Sequence, residues 1–360
     1  MQATFTIAEP ELVGARALRE WITGQREQYA RVFLVEGLEA TAVVAETATA
    51  DDVILVPEGG EPSDGPATEV PYSGALREVG DELFLGDRGV ELQDYIAAEF
   101  VQIVGPTAVS VVDADSRRAF LDDAALARRT GVFPSALLDP RILLANRSAL
   151  VDPRMQEIPS ALRVDADGRV SVGLRGEVLG TVDRLRELIA VPRPRAVALG
   201  EGAPSGTSPG GGDGGDRGDD GDGRDHREDL GRYLAATDLL KMLRGRTDGV
   251  RICGFGWTAL DDDRADAEPV TADPFLLDTP EGFVLADPVT LRRRLLSPAT
   301  ACVVAAVQTS RAPEIADERV SRELGVPAST ARTLCREAVA ALDVHHGRAE
   351  VGTPTTDAAR

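Results

Sequence analysis

The arrangement of apolar and polar segments in the last third of the chain predicts a β-hairpin. Apolar runs lie on both sides of a tetrapeptide at 279–282 (TPEG), which has the composition of a tight turn. The hairpin is therefore predicted over residues 274–288, and a third strand is predicted over residues 291–296.

Three helices are predicted after these strands. Ser297 precedes Pro298, as an N-cap precedes a proline at the first helical position, and apolar residues then recur at helical spacing. A second helix begins near Pro313 and is stopped by Gly325, and a third helix ends before Gly347. Three strands followed by three helices predict a small α+β domain with the element order of a winged helix.

The N-terminal half has the pattern of an α/β domain. Two apolar, β-branched segments at 29–35 and 51–57 flank a helix-compatible segment at 38–48, which predicts a βαβ unit with parallel strands. Further strands are predicted at 82–85, 108–112 and 169–174, and helices at 90–104, 116–131 and 182–191. Together these elements predict one α/β domain over residues 1–197.

A tract rich in glycine and aspartate separates the two regions. Such a composition has little to bury, so a disordered linker is predicted over residues 198–228. After it, an amphipathic helix at 230–243 and a strand at 250–260 lead into the C-terminal domain, which is predicted over residues 229–347. Residues 348–360 are predicted to form a flexible tail.

Composition narrows the environment in which the protein is expected to work. With 60 acidic and 39 basic residues, the net charge of −21 opposes binding to nucleic acid over most of the surface. No segment has the roughly 18–20 apolar residues of a membrane span, and the N-terminus lacks the pattern of a signal peptide. We therefore expect a cytoplasmic protein without membrane contact. Cys253, Cys302 and Cys335 are expected to be buried thiols.

Residues that carry most enzyme chemistry are scarce. The histidines are His226, His345 and His346, which cannot form a His-Glu-x-x-His zinc motif, and the cysteines are unclustered. Lys241, the only lysine, lies in an amphipathic helix, where a solvated side chain is expected. The sequence therefore predicts no catalytic residue, no metal and no cofactor, and the protein is expected not to be an enzyme.

Two polar clusters are expected to be structural. Asp113, Asp115 and the acidic run at 261–263 are interpreted as solvated loops, because such clusters arise readily in so acidic a chain. His345-His346 is expected at an exposed helix end, where the helix dipole favours the cationic form.

The order of motifs at 273–347 is that of a known domain family. A strand pair is followed by LSPATACVVAAVQ, then by EIADERVSRELGVP and ARTLCREAVAALDV. This segment resembles a PqqD-like RiPP recognition element, the domain that holds the leaders of ribosomally made, post-translationally modified peptides. Many members of that family carry a glycine after the first helix, whereas this chain has Thr309-Ser310.

A second resemblance covers the whole chain. An α/β region with GDELFLGDRGVELQDYIAAEF and VGPTAVSVVDADSRRAFL precedes the PqqD-like end. This arrangement is similar to the RiPP recognition proteins of daptide biosynthesis. The resemblance implies a non-catalytic protein that binds a precursor leader peptide and delivers it to separate RiPP-modifying enzymes.

The family resemblance also implies where the leader binds. Recognition elements hold it as an added antiparallel strand beside the third strand, in a groove floored by the third helix. The residues expected at this site are Leu291, Arg292, Arg293, Arg294, Leu295, Arg332, Cys335, Arg336 and Val339. The arginine run at 292–294 has a second interpretation, as a solvated edge strand whose charge prevents aggregation.

Two functions of other classes remain open from the sequence. A winged helix often binds DNA, but the third helix offers Arg332 and Arg336 beside Glu337, a weak cationic surface for phosphates. The N-terminal domain also leaves room for an enzyme with an unrecognised site. A transcriptional regulator and such an enzyme are therefore the alternatives.

Overall fold

The computed structural model describes residues 10–200, 222–243, 249–260, 262 and 264–349. Its α-helices are α1 (Pro10–Thr23), α2 (Leu38–Thr47), α3 (Ala114–Thr130), α4 (Ser135–Leu138), α5 (Arg147–Val151), α6 (Leu185–Leu188), α7 (Asp222–Met242), α8 (Pro298–Gln308), α9 (Pro313–Leu324) and α10 (Ala328–Leu342). Its strands are β1 (Arg31–Val35), β2 (Asp52–Pro57), β3 (Thr68–Gly74), β4 (Glu82–Leu85), β5 (Arg88–Asp94), β6 (Thr107–Ser110), β7 (Ile142–Leu144), β8 (Gln156–Glu157), β9 (Ala161–Val164), β10 (Arg169–Val172), β11 (Val178–Thr181), β12 (Arg193–Pro194), β13 (Arg251–Cys253), β14 (Gly256–Trp257), β15 (Ala267–Glu268), β16 (Phe275–Thr279), β17 (Gly282–Ala286), β18 (Arg293–Leu296) and β19 (Arg348–Ala349).

The chain divides into two compact units, each with mixed α/β structure. The first unit comprises Met1–Phe120 and Arg141–Asp213, and the second comprises Leu121–Pro140 and Gly214–Arg360. The mixed α/β class predicted from the sequence is therefore confirmed. The division itself differs from the predicted one, because residues 121–140 group with the C-terminal part of the chain.

The sheet of the first unit has the order β11-β10-β9-β1-β2-β3-β4-β5-β6-β7. Strand β1 is parallel to β2 and β9, and α2 connects β1 to β2, so the predicted βαβ unit is confirmed. Strands β4 and β10 run antiparallel to their neighbours, and the remaining strands of this sheet share one direction. The carboxyl ends of β1, β3, β6, β7 and β9 therefore lie at the same edge.

Helix α1, which is absent from the sequence-based prediction, covers one face of this sheet. Leu18, Trp21 and Ile22 are almost fully buried there, and Trp21 Nε1 donates a 2.8 Å hydrogen bond to the carbonyl oxygen of Leu162 in β9. Helices α2 and α6 contribute to a second core that includes Phe33. The strands of this region are buried between two apolar layers, as parallel strands usually are.

Two predicted helices of the first unit are wrong or shorter than expected. Residues 90–104 do not form a helix, because β5 occupies Arg88–Asp94 between β4 and β6, with Leu92 fully buried. Only the short 3₁₀ turn Ala97–Glu99 follows. Pairing with two neighbouring strands outweighs local helical spacing here. The predicted helix at 182–191 is reduced to a 3₁₀ turn and α6.

The second unit has a five-stranded sheet in the order β14-β13-β16-β17-β18. The predicted hairpin is confirmed as β16 and β17, and Thr279 pairs with Gly282 across a two-residue turn. The predicted strand at 250–260 is instead the short strands β13 and β14, because Gly254 and Gly256 have φ angles of 87° and 62° that turn the chain. Strand β18 forms an edge of the sheet.

The three predicted C-terminal helices are confirmed as α8, α9 and α10. Ser297 caps α8 by accepting a 3.1 Å hydrogen bond from the Thr300 amide, and Gly325 ends α9 with φ 63°. Helix α10 ends at Leu342, before Gly347 as predicted, and its C-cap Asp343 has φ 56°. The core formed by these helices and the sheet includes Val304, Val320, Cys335 and Leu276.

Helix α7 and residues 121–140 complete the second unit. Phe133 stacks on Tyr233 of α7 at 5.8 Å and contacts Phe255 at 5.2 Å between ring centroids. Arg232 is buried, donates to the carbonyl oxygens of Val270 and Asp273, and lies over the ring of Phe275 at 4.3 Å. Burial lowers the pKa of Arg232 to about 10.

The boundaries predicted for the linker and the tail need correction. Residues 222–228 lie in α7, and residues 195–199 form a 3₁₀ turn, so both ends of the predicted linker are structured. The middle of that prediction, residues 201–221, lies outside the described residues. Residues 348 and 349 form β19, which pairs with β15, and the rest of the predicted tail also lies outside the described residues.

Candidate functional site

Strand β18 presents an open backbone edge. The amide of Asp287 donates to the carbonyl oxygen of Arg292, and the register then pairs Leu285 with Arg294 and Val284 with Leu295. Hydrogen-bonded and non-hydrogen-bonded pairs alternate along an antiparallel ladder. The amide and carbonyl groups of Arg293 and Leu295 therefore point away from β17. No second strand among the described residues pairs with them, so this edge can accept an added strand.

Exposed apolar side chains follow this edge. Val289, Leu291 and Leu295 are 84%, 62% and 73% exposed, and all three lie within seven residues of one another in the chain. Leu291 also has φ 58°, a left-handed conformation that is uncommon for a residue other than glycine. The segment that leads into β18 is thus both apolar on its surface and locally strained.

Arg292, Arg293 and Arg294 are exposed beside these apolar side chains. Among the described residues, none of the three forms an ion pair. The Arg294 guanidinium donates to the carbonyl oxygen of Ala341, near the end of α10. The pairing of Arg294 with buried Leu285 places both residues on the sheet face that meets the helices. Arg293 and Leu295 lie on the opposite face.

An apolar pocket of about 260 Å³ lies next to Ala341. Its walls are Ala299, Thr300 and Val303 of α8, Leu324 of α9, and Leu334, Glu337, Ala338, Ala341 and Leu342 of α10. The α10 residues recur at spacings of three and four, so they share one helical face. The hydrogen bond from the Arg294 guanidinium to the Ala341 carbonyl oxygen thus connects the open strand edge to α10, the helix that lines this pocket.

The structure brings together only part of the predicted site. The strand residues are exposed at one edge, as expected, but Leu295 lies on the sheet face opposite to α10. Arg332, Cys335, Arg336 and Val339 lie on a different face of α10 from the residues that line the pocket. The interpretation of these helix residues as the floor of the groove therefore needs correction.

Two of those helix residues contact α9. Arg332 Nε lies 3.2 Å from Oδ2 of Asp317, and Cys335 is only 3% exposed. Burial, with a smaller contribution from Asp317, raises the pKa of the Cys335 thiol to about 12. Cys335 is a core residue and cannot line an open groove. Arg336 is exposed and Val339 is half-buried.

Sequence reasoning missed a buried arginine network under the turn between α8 and α9. Arg319 is 2% exposed and donates to the carbonyl and hydroxyl oxygens of Thr309, to the hydroxyl of Ser310, and to both carboxylate oxygens of Asp262. Arg319 holds the pKa of Asp262 below its usual range. Asp262 is thus an ion-pair partner rather than a purely solvated loop residue.

Thr309 and Ser310 lie at the end of α8, and the hydroxyl groups of both accept hydrogen bonds from Arg319. Both residues are almost fully buried. Their hydroxyl groups therefore give the buried donors of Arg319 partners inside the protein.

His345 is paired with a buried acid. Its Nδ1 lies 2.7 Å from Oδ1 of Asp273, and Asp273 also accepts from the His345 amide and from Gln308. This bond raises the pKa of His345. His345 is exposed, as expected, but its ring is also held in place by the contact with Asp273.

Among the residues that the structure describes, no group of three metal-ligating side chains is close enough to hold an ion. In the same ranges, none of the helices combines the length and the apolar character needed to span a bilayer. Comparison of the chain with protein-family models, with curated proteins and with solved structures gives no match.

Proposed function

We propose that the second unit binds a peptide as an added strand on the open edge of β18. The peptide proposed is the leader of a ribosomally made precursor, and the whole protein is a non-catalytic carrier that delivers it to modifying enzymes. The outward-pointing backbone groups of Arg293 and Leu295 are the observation that carries this proposal. Strand addition uses such groups for affinity and side-chain pockets for specificity.

The side chains around the edge fit this mode of binding. Side chains of an added strand would alternate between the two faces of the sheet. On one face they would meet Leu295 and the exposed segment before it, and on the other they would reach towards the pocket between α8 and α10. Arg292 and Arg293 favour acidic residues in the bound peptide.

The proposed site differs from the usual surface of a DNA-binding winged helix. On α10, Arg332 is paired with Asp317, and Glu337 lines the exposed pocket. A regulator would place free cations on that helix, facing phosphates. Peptide capture therefore explains the exposed apolar edge, which DNA binding would leave without a role.

The test uses the full-length chain, because residues 121–140 belong to the second unit. We expect a gene for a short precursor peptide beside this one, and the probe is a synthetic copy of its leader, titrated by calorimetry. Leu295→Asp is expected to weaken binding by about tenfold or more, since burying a leucine contributes roughly 1.5–3 kcal/mol. Leu126→Asp, another exposed leucine of the second unit, is the matched control and should bind normally.

Three results would contradict the proposal. One is equal affinity of the Leu295→Asp protein and the wild type, with both folded by circular dichroism. Another is the lack of any short precursor gene near this one. The third is tight, salt-dependent binding to duplex DNA, which would favour the regulator instead.

A further inference from the structure

The first unit contains a pocket lined by arginines, between the carboxyl ends of β3 and β6 and the turn from β10 to β11. The pocket has a volume of about 440 Å³. Its walls include Arg77 after β3, Ser110 at the end of β6, Arg163 in β9, and Ser171 and Arg175 around β10. Open α/β sheets bind ligands beyond the carboxyl ends of their strands, and the part of the wall that contains Arg77 and Ser110 lies at such ends.

The charge of this pocket is opposite to that of the chain as a whole. None of the described residues that line it is acidic, although acidic residues outnumber basic residues by 60 to 39 in the sequence. Three guanidinium groups lie in the walls. A wall of this size with the average composition of the chain would include carboxylates, so the pocket is more basic than the protein as a whole.

The three arginines are fixed with respect to one another. Arg163 and Arg77 both bind Glu36, with Nε to Oε1 distances of 2.8 Å and 3.0 Å, and Arg175 Nη2 donates to the Arg77 carbonyl oxygen at 3.3 Å. The Glu36 side chain is only 6% exposed and does not line this pocket. It orients two guanidinium groups and neutralises one charge, which leaves two positive charges in excess.

We propose that this pocket binds a small molecule that carries a phosphate monoester. A phosphate monoester has a charge of about −1.5 to −2 at neutral pH, which matches the two excess positive charges. Guanidinium groups bind phosphate oxygens through two parallel hydrogen bonds. The volume exceeds what a bare phosphate fills and lies in the usual range for small-molecule pockets. Ser110 and Ser171 add hydroxyl groups to the wall.

This site lies in the first unit and does not depend on the peptide proposal for the second unit. The experiment titrates the full-length protein with inorganic phosphate and with glycerol phosphate by calorimetry, at physiological ionic strength. Both probes are expected to bind, and glycerol phosphate to bind more tightly because it fills more of the pocket. Millimolar or tighter affinity is expected.

Three variants test whether the phosphate compounds bind in this pocket. Arg175→Gln should weaken glycerol phosphate binding about tenfold, because it removes one positive charge and the charge-assisted hydrogen bonds that the guanidinium group donates. Ser171→Glu, which places a carboxylate in the wall, should abolish it. Arg184→Gln is the matched control, since Arg184 is an exposed arginine of the same unit paired with Glu187 outside the pocket.

Three outcomes would overturn the proposal. The first is no heat of binding for either probe at millimolar concentration. The second is an equal loss of affinity in Arg175→Gln and Arg184→Gln, which would indicate only a general charge effect. The third is unchanged affinity in a folded Ser171→Glu protein.

Discussion

Arg319 and Asp262 are 57 residues apart in sequence and form a two-point ion pair with N–O distances of 2.9 Å and 2.7 Å. The arginine side chain is 1% exposed and the aspartate side chain 18%. The pair attaches the loop after β14 to α9, and the remaining donors of Arg319 hold the end of α8. One side chain thus joins three parts of the second unit.

Removal of this arginine should be costly. Arg319→Ala would leave Asp262 without its arginine partner and would remove one of the two donors to the Thr309 carbonyl oxygen, the other being the Asp266 amide. We expect the free energy of unfolding to fall by about 3–5 kcal/mol, as for other broken buried ion pairs. Urea denaturation followed by circular dichroism measures this loss.

Arg322→Ala is the control on the same helix. Arg322 is 47% exposed and pairs with Glu318 at the surface, so its removal should cost less than about 1 kcal/mol. Similar losses for the two variants would contradict the structural role assigned to Arg319.

Proline substitutions test the direction of the backbone groups in β18. Arg293 is the first residue of the strand, and its amide points away from β17, so Arg293→Pro should leave the ladder intact. Arg294→Pro should break the backbone hydrogen bond to Leu285. With each proline variant compared with the alanine variant at the same position, Arg294→Pro should lower the free energy of unfolding by about 1–3 kcal/mol more than Arg293→Pro does. Chemical denaturation of the four proteins gives this comparison.

The two proline variants also distinguish an effect on stability from an effect on peptide binding. Arg293→Pro is expected to lose leader binding while staying folded, because the docking amide is removed. A larger loss of stability for Arg293→Pro than for Arg294→Pro would reverse the assignment of the outward-facing groups.

The pH dependence of stability should reveal the pairing of His345 with Asp273. The folded-state pKa of His345 is raised from 6.5 by the bond to Asp273. The contribution of this bond to the stability of the folded protein is therefore fully present below the unfolded-state pKa of His345, and it is lost as the pH rises through the folded-state pKa. His345 is 60% exposed, so the contribution should stay below about 1 kcal/mol.

Thermal unfolding of the wild type and His345→Gln between acidic and mildly alkaline pH measures this effect. The difference in midpoint between the two proteins should be largest at acidic pH and should shrink as the pH rises. A difference that grows with pH would show that the sign is wrong.

The thiols should react slowly in the folded protein. Burial raises the pKa values of Cys253, Cys302 and Cys335, and thiolate is the reactive species. Cys302 is only half-buried and should react first with Ellman's reagent at mildly alkaline pH. The same protein in urea should expose all three thiols rapidly. Fast native reaction of Cys335 would be inconsistent with its place in the core.

Local signals were sufficient for the hairpin and the last three helices. Ser297, Pro298 and Gly325 mark helix ends whatever their tertiary surroundings, and the turn after Thr279 fixes the hairpin. Residues 90–104 show the limit of such signals. Helical spacing there was outweighed by two neighbouring strands that local sequence does not reveal.

The candidate site was predictable only in part, for a related reason. Helix α10 has apolar residues on two sides, with Leu334 on one and Cys335 on the other, so its sequence does not identify the face that meets α9. In the structure Arg332 and Cys335 contact Asp317 of α9, so their side of α10 is the one that meets α9. The arginine pocket of the first unit combines residues from distant segments, and no local motif marks it.

The position of residues 121–140 in the second unit has a consequence for synthesis. Phe133 leaves the ribosome well before Tyr233 and Phe255, the rings on which it packs. At about 5–20 residues per second, the interval between Phe133 and Phe255 is roughly 6–24 s. During that time the apolar segment around Val132 has no native partner from the later chain. The speed of translation therefore sets how long the nascent protein is open to misassembly.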